Sequence, residues 1–363
     1  MRTMSLQEFT AVTDALSSAV LEGCHEVQTE TFVAVLGHDD FAEPATGLRA
    51  DLADQRHEDK VLLVALADGA RERPADVLGY AWLVLHREDN RHLAGVDILV
   101  RPSARRAGTG TALWRAAEAR VRAAGRTTVT SWSVHGPEPE DGPGVLAAPT
   151  GAGRVRADDP ATRFALTHGF VLEQTERHST LALPVPPERL EAWRAEAGAV
   201  AGPDYRLVSW TGPTPEERLA GMAALRSRMS TDVPSAGLEF EEEAWDAERM
   251  RHADEQLVAR GGSQMVTAVE HLPSAELVAF TALDRREQDV IFQQDTLVRA
   301  DHRGRRLGLL VKAANLQLLA RTFPGARRVH TWNAGENRFM LDINERMGFV
   351  PASVEGAWQL RLA

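Results

Sequence analysis

An internal repeat constrains the fold of this chain more than any other feature of its sequence. Residues 97–110 read DILVRPSARRAGTG, and residues 295–308 read DTLVRADHRGRRLG. The two segments align at an offset of 198 residues (295 minus 97), and a Gly-Phe pair follows each of them, at 169–170 and 348–349. Repetition of this order and content indicates that one structural unit occurs twice in the chain.

Both copies have the same order of predicted elements. Two β-rich runs come first, at 61–68 and 77–87 in the first copy and at 264–272 and 276–285 in the second. A third strand then runs into an Arg/Gly-rich loop, the loop opens a helix with apolar residues at helical spacing, and another strand follows. The two copies therefore carry equivalent predicted secondary structure.

The length of the chain fits two domains, because 363 residues are too many for one hydrophobic core. We place the first domain at 1–183 and the second at 204–363. The proline-rich stretch between them, 184–203, is predicted to be a linker with a short helix near 188–197. The first copy also carries a Pro/Gly-rich insertion at 135–160, which is either functional or mobile.

Composition excludes several classes of protein. The net charge of −11 argues against a nucleic-acid groove binder, although an acidic balance suits cationic substrates such as amines. The single cysteine, Cys24, leaves no disulfide framework, and the histidines lack metal-ligand spacing, so we predict no metal site. With neither an apolar signal core nor an apolar run of membrane-spanning length, we expect a cytoplasmic protein that does not enter the membrane.

The Arg/Gly-rich loops carry the chemistry of an anion site. Backbone N–H groups at the start of a helix lack intrahelical acceptors, and the helix dipole favours negative charge there. Glycine lets the backbone approach a ligand closely. Because the loops at 105–110 and 303–308 both follow a strand and open a helix, the sequence predicts an anion cradle in each copy.

The first of these loops resembles a known signature. Arg105-Arg106-Ala107-Gly108-Thr109-Gly110 is similar to the (Gln/Arg)-x-x-Gly-x-(Gly/Ala) motif of the GNAT acetyltransferase superfamily, whose loop binds the pyrophosphate of coenzyme A. The second loop departs from the motif because Arg306 occupies the middle glycine position. A large side chain there must point away from the phosphates or contact them as a cation.

A second GNAT signature consists of an asparagine, a general-acid tyrosine seven residues later, and Gly-Phe. The second copy matches it at Asn337, but Asn344 stands in place of the tyrosine. In the first copy the same spacing falls on Asp158 and Ala165, so neither functional residue is retained. The first copy thus has the better phosphate loop, and the second has the better Asn…Gly-Phe segment.

The resemblance implies a mixed α/β fold with a central sheet in each of two tandem GNAT-like domains. It implies acetyl-CoA, or another acyl-CoA, as donor and direct attack by a small-molecule amine. The third and fourth core strands would splay to admit the pantetheine arm, and a main-chain N–H near Val100 or Val298 would stabilise the oxyanion. The residues assigned to acyl-CoA binding lie on strand ends, loops and helix starts: Val100, Arg105, Arg106, Gly108, Thr109, Gly110, Thr111, Leu297, Val298, Arg303, Gly304, Arg305, Arg306, Leu307, Gly308 and Asn337.

Three residues of the second copy are candidates for catalysis. Asp295 is a candidate general base, as Asp97 is in the first copy, although a repeated acid can also be structural. His302 flanks the second loop, and Asn344 stands at the general-acid position. We expect the chemistry in the second copy, because the charge of Asp158 would sit poorly beside an anionic cofactor.

Two other functions remain open at this stage. Without the tyrosine in either copy, the chain could bind acyl-CoA or a metabolite as a sensor and lack catalysis, and protein lysine acetylation is a further alternative. The acidic run at 239–248 would either line a cationic substrate site or form the wet face of a helix. Trp132 and Trp332 would lie in the core or on a cleft wall.

Overall fold

The computed structural model describes residues 4–13, 16–69, 73–286 and 289–362. The first half contains, in chain order, β1 (Met4–Phe9), α1 (Ser18–Leu36), α2 (Ala45–Ala53), β2 (Glu58–Ala67), β3 (Val77–His86), β4 (Leu93–Val100), α3 (Thr109–Ala123), β5 (Thr128–His135), β6 (Val145–Ala147), β7 (Arg154–Arg156), α4 (Pro160–Thr167) and β8 (Val171–Ala182). The predicted insertion thus includes a small hairpin, β6–β7.

After one additional helix, α5, the second half repeats this order from β9 onwards without the hairpin. It contains α5 (Pro187–Ala201), β9 (Tyr205–Thr211), α6 (Leu219–Asp232), α7 (Ala247–Ala259), β10 (Ser263–His271), β11 (Glu276–Arg285), β12 (Val290–Val298), α8 (Leu307–Thr322), β13 (Arg328–Ala334), α9 (Arg338–Met347) and β14 (Val350–Arg361). The predicted repeat and the predicted mixed α/β class are both confirmed.

The two halves form one continuous sheet because they exchange their last strands. Twelve strands follow the order β1-β2-β3-β4-β5-β14-β8-β13-β12-β11-β10-β9. The last strand of the chain, β14, pairs with β5 of the first half, and β8 pairs with β13 of the second half. The division at 183 and 204 stays a prediction, because strands on each side of it complete the sheet of the other half.

The hydrophobic cores show the same exchange. Trp358 and Val354 of β14 belong to the core that covers β2–β5 and α3 in the first half. In return, Leu181 of β8 belongs to the core beneath α8 of the second half. Because each half buries apolar side chains from the last strand of the other, the stability of each half depends on the other.

The predicted linker contributes to the second core. Its helix, α5, buries Leu190, Trp193 and Ala197 against α8. The side chain of Cys24 is fully buried in α1, and burial raises the pKa of its thiol, as expected of a packing residue. Among the described residues, no helix is long and apolar enough to cross a membrane.

Candidate active site

The loop after β4 forms the predicted cradle. Arg106 and Gly108 both have left-handed backbones, with φ of 61° and 91°. The first backbone hydrogen bond into α3 runs from the N–H of Ala112 to the carbonyl of Gly108, at 3.0 Å, and within the described chain no backbone carbonyl accepts from residues 106–111. A Cβ built on Gly108 would meet no protein atom within 4 Å. Six consecutive N–H groups beside an open glycine suit an anion.

The loop after β12 has the same backbone with glycine and arginine interchanged. Gly304 has φ of 80° and Arg306 has φ of 57°, and α8 begins at the next residue. The side chain of Arg306 forms an ion pair with Glu196 of α5, whose other carboxylate oxygen contacts Arg346. Its guanidinium is therefore engaged with α5, and the left-handed backbone costs about 1–2 kcal/mol for a non-glycine residue.

The strands beside the two loops diverge, as the family resemblance implies. Parallel pairing of β4 with β5 ends at Gly95 and Thr130. Pairing of β12 with β13 ends at Phe292 and His330. Residues 96–100 of β4 and 293–298 of β12 therefore run on without a partner on that side.

Hydrogen-bond alternation shows which N–H groups face these gaps. The N–H of Arg101 donates to the carbonyl of Leu78 at 2.9 Å, so that alternate residues of β4 bond to β3 and Val100 is directed towards β5. The N–H of Arg299 bonds to β11 in the same way, which directs Val298 towards β13. The N–H of Leu297 faces β11 and is not available to a ligand in the gap.

Asp97 and Asp295, the repeated acids, have different partners. Asp97 reaches across the first gap and accepts from the N–H of Trp132 at 3.2 Å. Burial raises the pKa of Asp97 to about 6, although the bonds from Trp132 and Ser131 oppose the shift. Asp295 forms an ion pair with Arg226 of α6 instead.

The other predicted catalytic residues bond to separate elements. His302 contacts the hydroxyl of Tyr205 on the edge strand β9 at 2.9 Å, and burial lowers the pKa of its imidazole. Asn344 is 2% exposed and donates to Asn333 of β13 at 2.7 Å. Within the described chain, no hydrogen bond joins any two of Asp295, His302 and Asn344. Their catalytic roles stay predictions.

The helix-capping position of the first copy is Asp159, so the alignment of Asp158 with Asn337 is wrong by one residue. Asn337 accepts from the N–H of Met340 and caps α9, and Asp159 accepts from Ala161 and caps α4. The first copy has one residue fewer between this cap and its Gly-Phe pair. Asp158 is exposed and pairs with Arg156, which leaves the argument from its charge without support.

Asp159 belongs to a polar chain that the sequence analysis missed. Its carboxylate lies 3.3 Å from Nδ1 of His135, the last residue of β5. The Nε2 of His135 is 2.7 Å from the hydroxyl of Ser133, which accepts from the indole of Trp358 at 2.7 Å. This chain connects the cap of α4 with the exchanged strand β14.

Two carboxylates missed by the sequence analysis lie at the centre of the sheet. Glu355 of β14 is directly opposite Glu176 of β8, and the two are repeat equivalents at the offset of the Gly-Phe pairs, 179 residues. Burial and mutual repulsion raise the pKa of Glu355 to about 8, and burial together with Glu336 raises that of Glu176 to about 7. The indole of Trp332 donates to Oε1 of Glu355 at 2.6 Å. The sequence signal that could have identified this pair is a glutamate seven residues after the glycine of each Gly-Phe pair.

Each half covers the central strands of the other with a loop. Phe41, between α1 and α2, lies 5.0 Å from the ring of Trp332, and Phe240, between α6 and α7, stacks on Trp132 at 6.2 Å. Glu239 accepts from the hydroxyl of Thr128 at 2.8 Å. Most of the acidic run at 239–248 is therefore a loop against the first half, which corrects the reading of it as a helix face, because α7 begins only at Ala247.

Buried histidines join the halves beside this cleft. His178 of β8 lies 2.9 Å from His330 of β13, whose second nitrogen is 3.0 Å from Asp40 of the α1–α2 loop. Burial, reinforced by the neighbouring cations, lowers the pKa of His178 to about 3, so it is neutral in the folded protein at ordinary pH. The network fixes the loop that carries Phe41.

Replacing Glu355 with glutamine is expected to stabilise the protein at alkaline pH. The folded state holds a proton on Glu355 up to about pH 8, whereas an ordinary glutamate releases it near 4.5, so stability falls as the pH rises through this window. Glutamine removes that loss and can still accept from Trp332. Thermal melts should show a higher Tm for the variant at pH 8.5 and a smaller gain at pH 5. Glu345→Gln, at an exposed ion pair with Arg177, is the control, and a gain independent of pH would contradict this account.

Diverging strands beside a helix start with free N–H groups are the arrangement that the GNAT resemblance implies, and one family model and two solved structures are similar to this chain. Residues 21–138 match the model of the acetyltransferase (GNAT) family. No curated protein sequence gives a significant match. The fold is shared with a tandem GNAT protein from the clavulanic acid biosynthesis pathway at a TM-score of 0.71, with 23% identity over 99% of this chain and 98% of that one.

A second solved structure has the same architecture. The GCN5-related N-acetyltransferase from Sphaerobacter thermophilus gives a TM-score of 0.58, with 16% identity over 98% of this chain and 95% of that one. Residues 21–138 are thus similar to the GNAT acetyltransferase family, and the whole chain has the fold of a tandem GNAT protein.

Proposed function

We propose that the chain is an acyl-CoA-dependent N-acyltransferase that binds its donor, acetyl-CoA or another acyl-CoA, in the first copy. The observation that carries this proposal is the open loop at 106–111, with free N–H groups beside the gap between β4 and β5. The pyrophosphate would lie at the start of α3, and the pantetheine arm would enter the gap.

Differences between the copies support the first as the donor site. Gly108 leaves its loop open, whereas Arg306 holds the equivalent position of the second loop and is paired with Glu196. Beside the second gap, the buried amine of Lys312 donates to Gln293 at 3.0 Å, and burial lowers its pKa to about 7. This choice departs from the prediction that the second copy carries the chemistry.

The main chain supplies the electrostatic part of the proposed reaction. The N–H of Val100, directed into the gap, would donate to the thioester oxygen as negative charge develops there. The donor supplies an activated acyl group, and a neutral amine attacks it directly. Since no covalent acyl-enzyme is needed, the buried and protonated thiol of Cys24 is compatible with the proposal.

The acceptor would be a small amine that is cationic before it reacts. Acidic side chains of Asp97, Glu176 and Glu355 lie on the central strands, and a positive charge bound among them would favour their ionised forms. Aromatic side chains of Trp132 and Trp332 border the same region and suit an alkylammonium or aminosugar face.

Release of free thiol from acetyl-CoA with a panel of primary amines tests the proposed function. We expect turnover with at least one amine and none without an acceptor. Binding of acetyl-CoA without turnover by any amine would favour a sensor. Transfer to lysine-containing peptides in place of small amines would assign a protein acceptor.

A further inference from the structure

We infer that the first-copy active site takes its general base, Glu355, from the strand contributed by the second half, and that the acceptor amine binds at the seam between the halves. This inference rests on the proposed function and deepens it. The base would lie outside the Arg/Gly-rich loops and the Asn…Gly-Phe segments, and the site would be incomplete without strand exchange.

The position of β14 brings Glu355 to the site. Strand β14 lies next to β5, which forms one wall of the gap, and Glu355 is directly opposite Val134. Residues directly opposite each other on paired strands share a face, and so do residues two apart on one strand. Glu355 is therefore on the same face as Val134 and Trp132. The N–H of Trp132 is bonded to Asp97 inside the gap. Glu355 is thus one strand away from the place where the thioester would lie.

The contacts of Glu355 leave it able to accept a proton. The indole of Trp332 donates to Oε1 and holds the side chain, and Oε2 has no hydrogen bond within the described chain. Glu355 remains partly accessible to solvent. The oxygen that would take the proton is therefore free while the other one fixes the carboxylate.

The groups facing Glu355 favour a cationic acceptor. Glu176 is opposite it on β8, Asp97 approaches it from β4, and Glu336 lies beyond Glu176 with a buried Oε2 that has no hydrogen-bond partner in the described chain. Like charges so close cannot all be ionised without cost, and an ammonium group placed among them offsets the repulsion. Gln174 donates to Oε1 of Glu336 at 2.7 Å, so that Oε2 remains as an acceptor for a cationic group.

The acceptor nitrogen loses two protons when its ammonium group becomes an amide. Glu355 takes one proton from the ammonium group of the acceptor, and the nitrogen lone pair then forms a bond to the acyl carbon. The C–S bond breaks, the leaving thiolate gains the second nitrogen proton, and Glu355 returns its proton to solvent. The products are the amide and the free thiol of coenzyme A.

The matched variants Glu355→Gln and Glu176→Gln test this inference with an amine that the wild type acetylates. We expect Glu355→Gln to lower kcat by about 100-fold or more and to lose the rise of kcat with pH, with unchanged calorimetric affinity for acetyl-CoA. Glu176→Gln should mainly raise KM for the amine. Glu355→Asp, which keeps a carboxylate, should retain the pH-dependent rise at a lower kcat.

The outcomes separate this inference from the proposed function. Wild-type turnover together with normal kcat and an unchanged pH profile in Glu355→Gln would overturn the base assignment alone. No turnover by the wild type with any amine would overturn both. A lower kcat in Glu355→Gln that still rises with pH as in the wild type would also contradict the inference. Circular dichroism establishes that each variant is folded.

Discussion

Replacing Gly108 with valine is expected to weaken the binding of acetyl-CoA by about tenfold or more, because a branched side chain would fill the space that the phosphates need. Gly108 has φ of 91°, and nothing in the protein occupies the direction of its missing Cβ. The substitution therefore meets the ligand and not the protein core. Isothermal titration calorimetry of the full chain measures the change in affinity and stoichiometry.

Gly304→Val is the matched control. Gly304 also has a left-handed backbone, with φ of 80°, and open space beyond it, so the backbone strain of the two variants is comparable. If the donor binds in the first copy, Gly304→Val should bind acetyl-CoA like the wild type. Weaker binding in Gly304→Val with normal binding in Gly108→Val would move the donor site to the second copy.

Truncation of Trp358 to alanine is expected to destabilise the whole protein by about 3–5 kcal/mol, as large aromatic side chains in cores do. The side chain is 1% exposed and belongs to the core of the first half, although its strand is the last of the chain. Its indole also donates to Ser133 at 2.7 Å, so the variant leaves a cavity and removes one of the two hydrogen bonds of this hydroxyl, which still contacts His135. Chemical denaturation followed by circular dichroism gives the free energy of unfolding.

Phe339→Ala is the control for this prediction, since Phe339 is 88% exposed and should change the stability by no more than about 0.5 kcal/mol. Because each half completes the sheet of the other, wild type and Trp358→Ala should both unfold in one transition. Two transitions, with the first half unaffected by Trp358→Ala, would contradict the strand exchange.

Local sequence patterns predict the elements of this fold well. The β-rich run at 276–285 coincides with β11, the strand expected after the second helix is β13, and the glycine-containing loops lie at helix starts. These features depend on neighbours in sequence, such as side-chain alternation and the conformations open to glycine. The offset of 198 residues was enough to show that two similar units exist.

Strand exchange could not be predicted in this way. The residues of β8 and β14 would form equally regular strands whether they paired within their own half or with the other, because hydrogen bonding of the backbone is independent of sequence. The partners are decided by how the halves pack, including burial of Trp358 and Leu181. The site at the seam was missed for the same reason, since Glu355 and Glu176 become neighbours only after the exchange.

Alignment by spacing also failed locally. The shift from Asp158 to Asp159 arises because α4 is shorter than α9, and a hydrogen bond to the helix start selects the capping residue. Similarly, the repeat relates Asp295 to Asp97, but Arg226 on α6 pairs with only one of them. Tertiary partners, which the repeat does not specify, separate the roles of equivalent residues.

Hydrogen–deuterium exchange during titration with acetyl-CoA tests the central claim most directly, because it reports protection of individual backbone N–H groups. We predict that saturating acetyl-CoA slows exchange at residues 106–111, whose N–H groups are free in the protein alone, and leaves 304–309 unchanged. Protection confined to 304–309 would place the donor in the second copy. The absence of protection at both loops would contradict acyl-CoA binding by this fold.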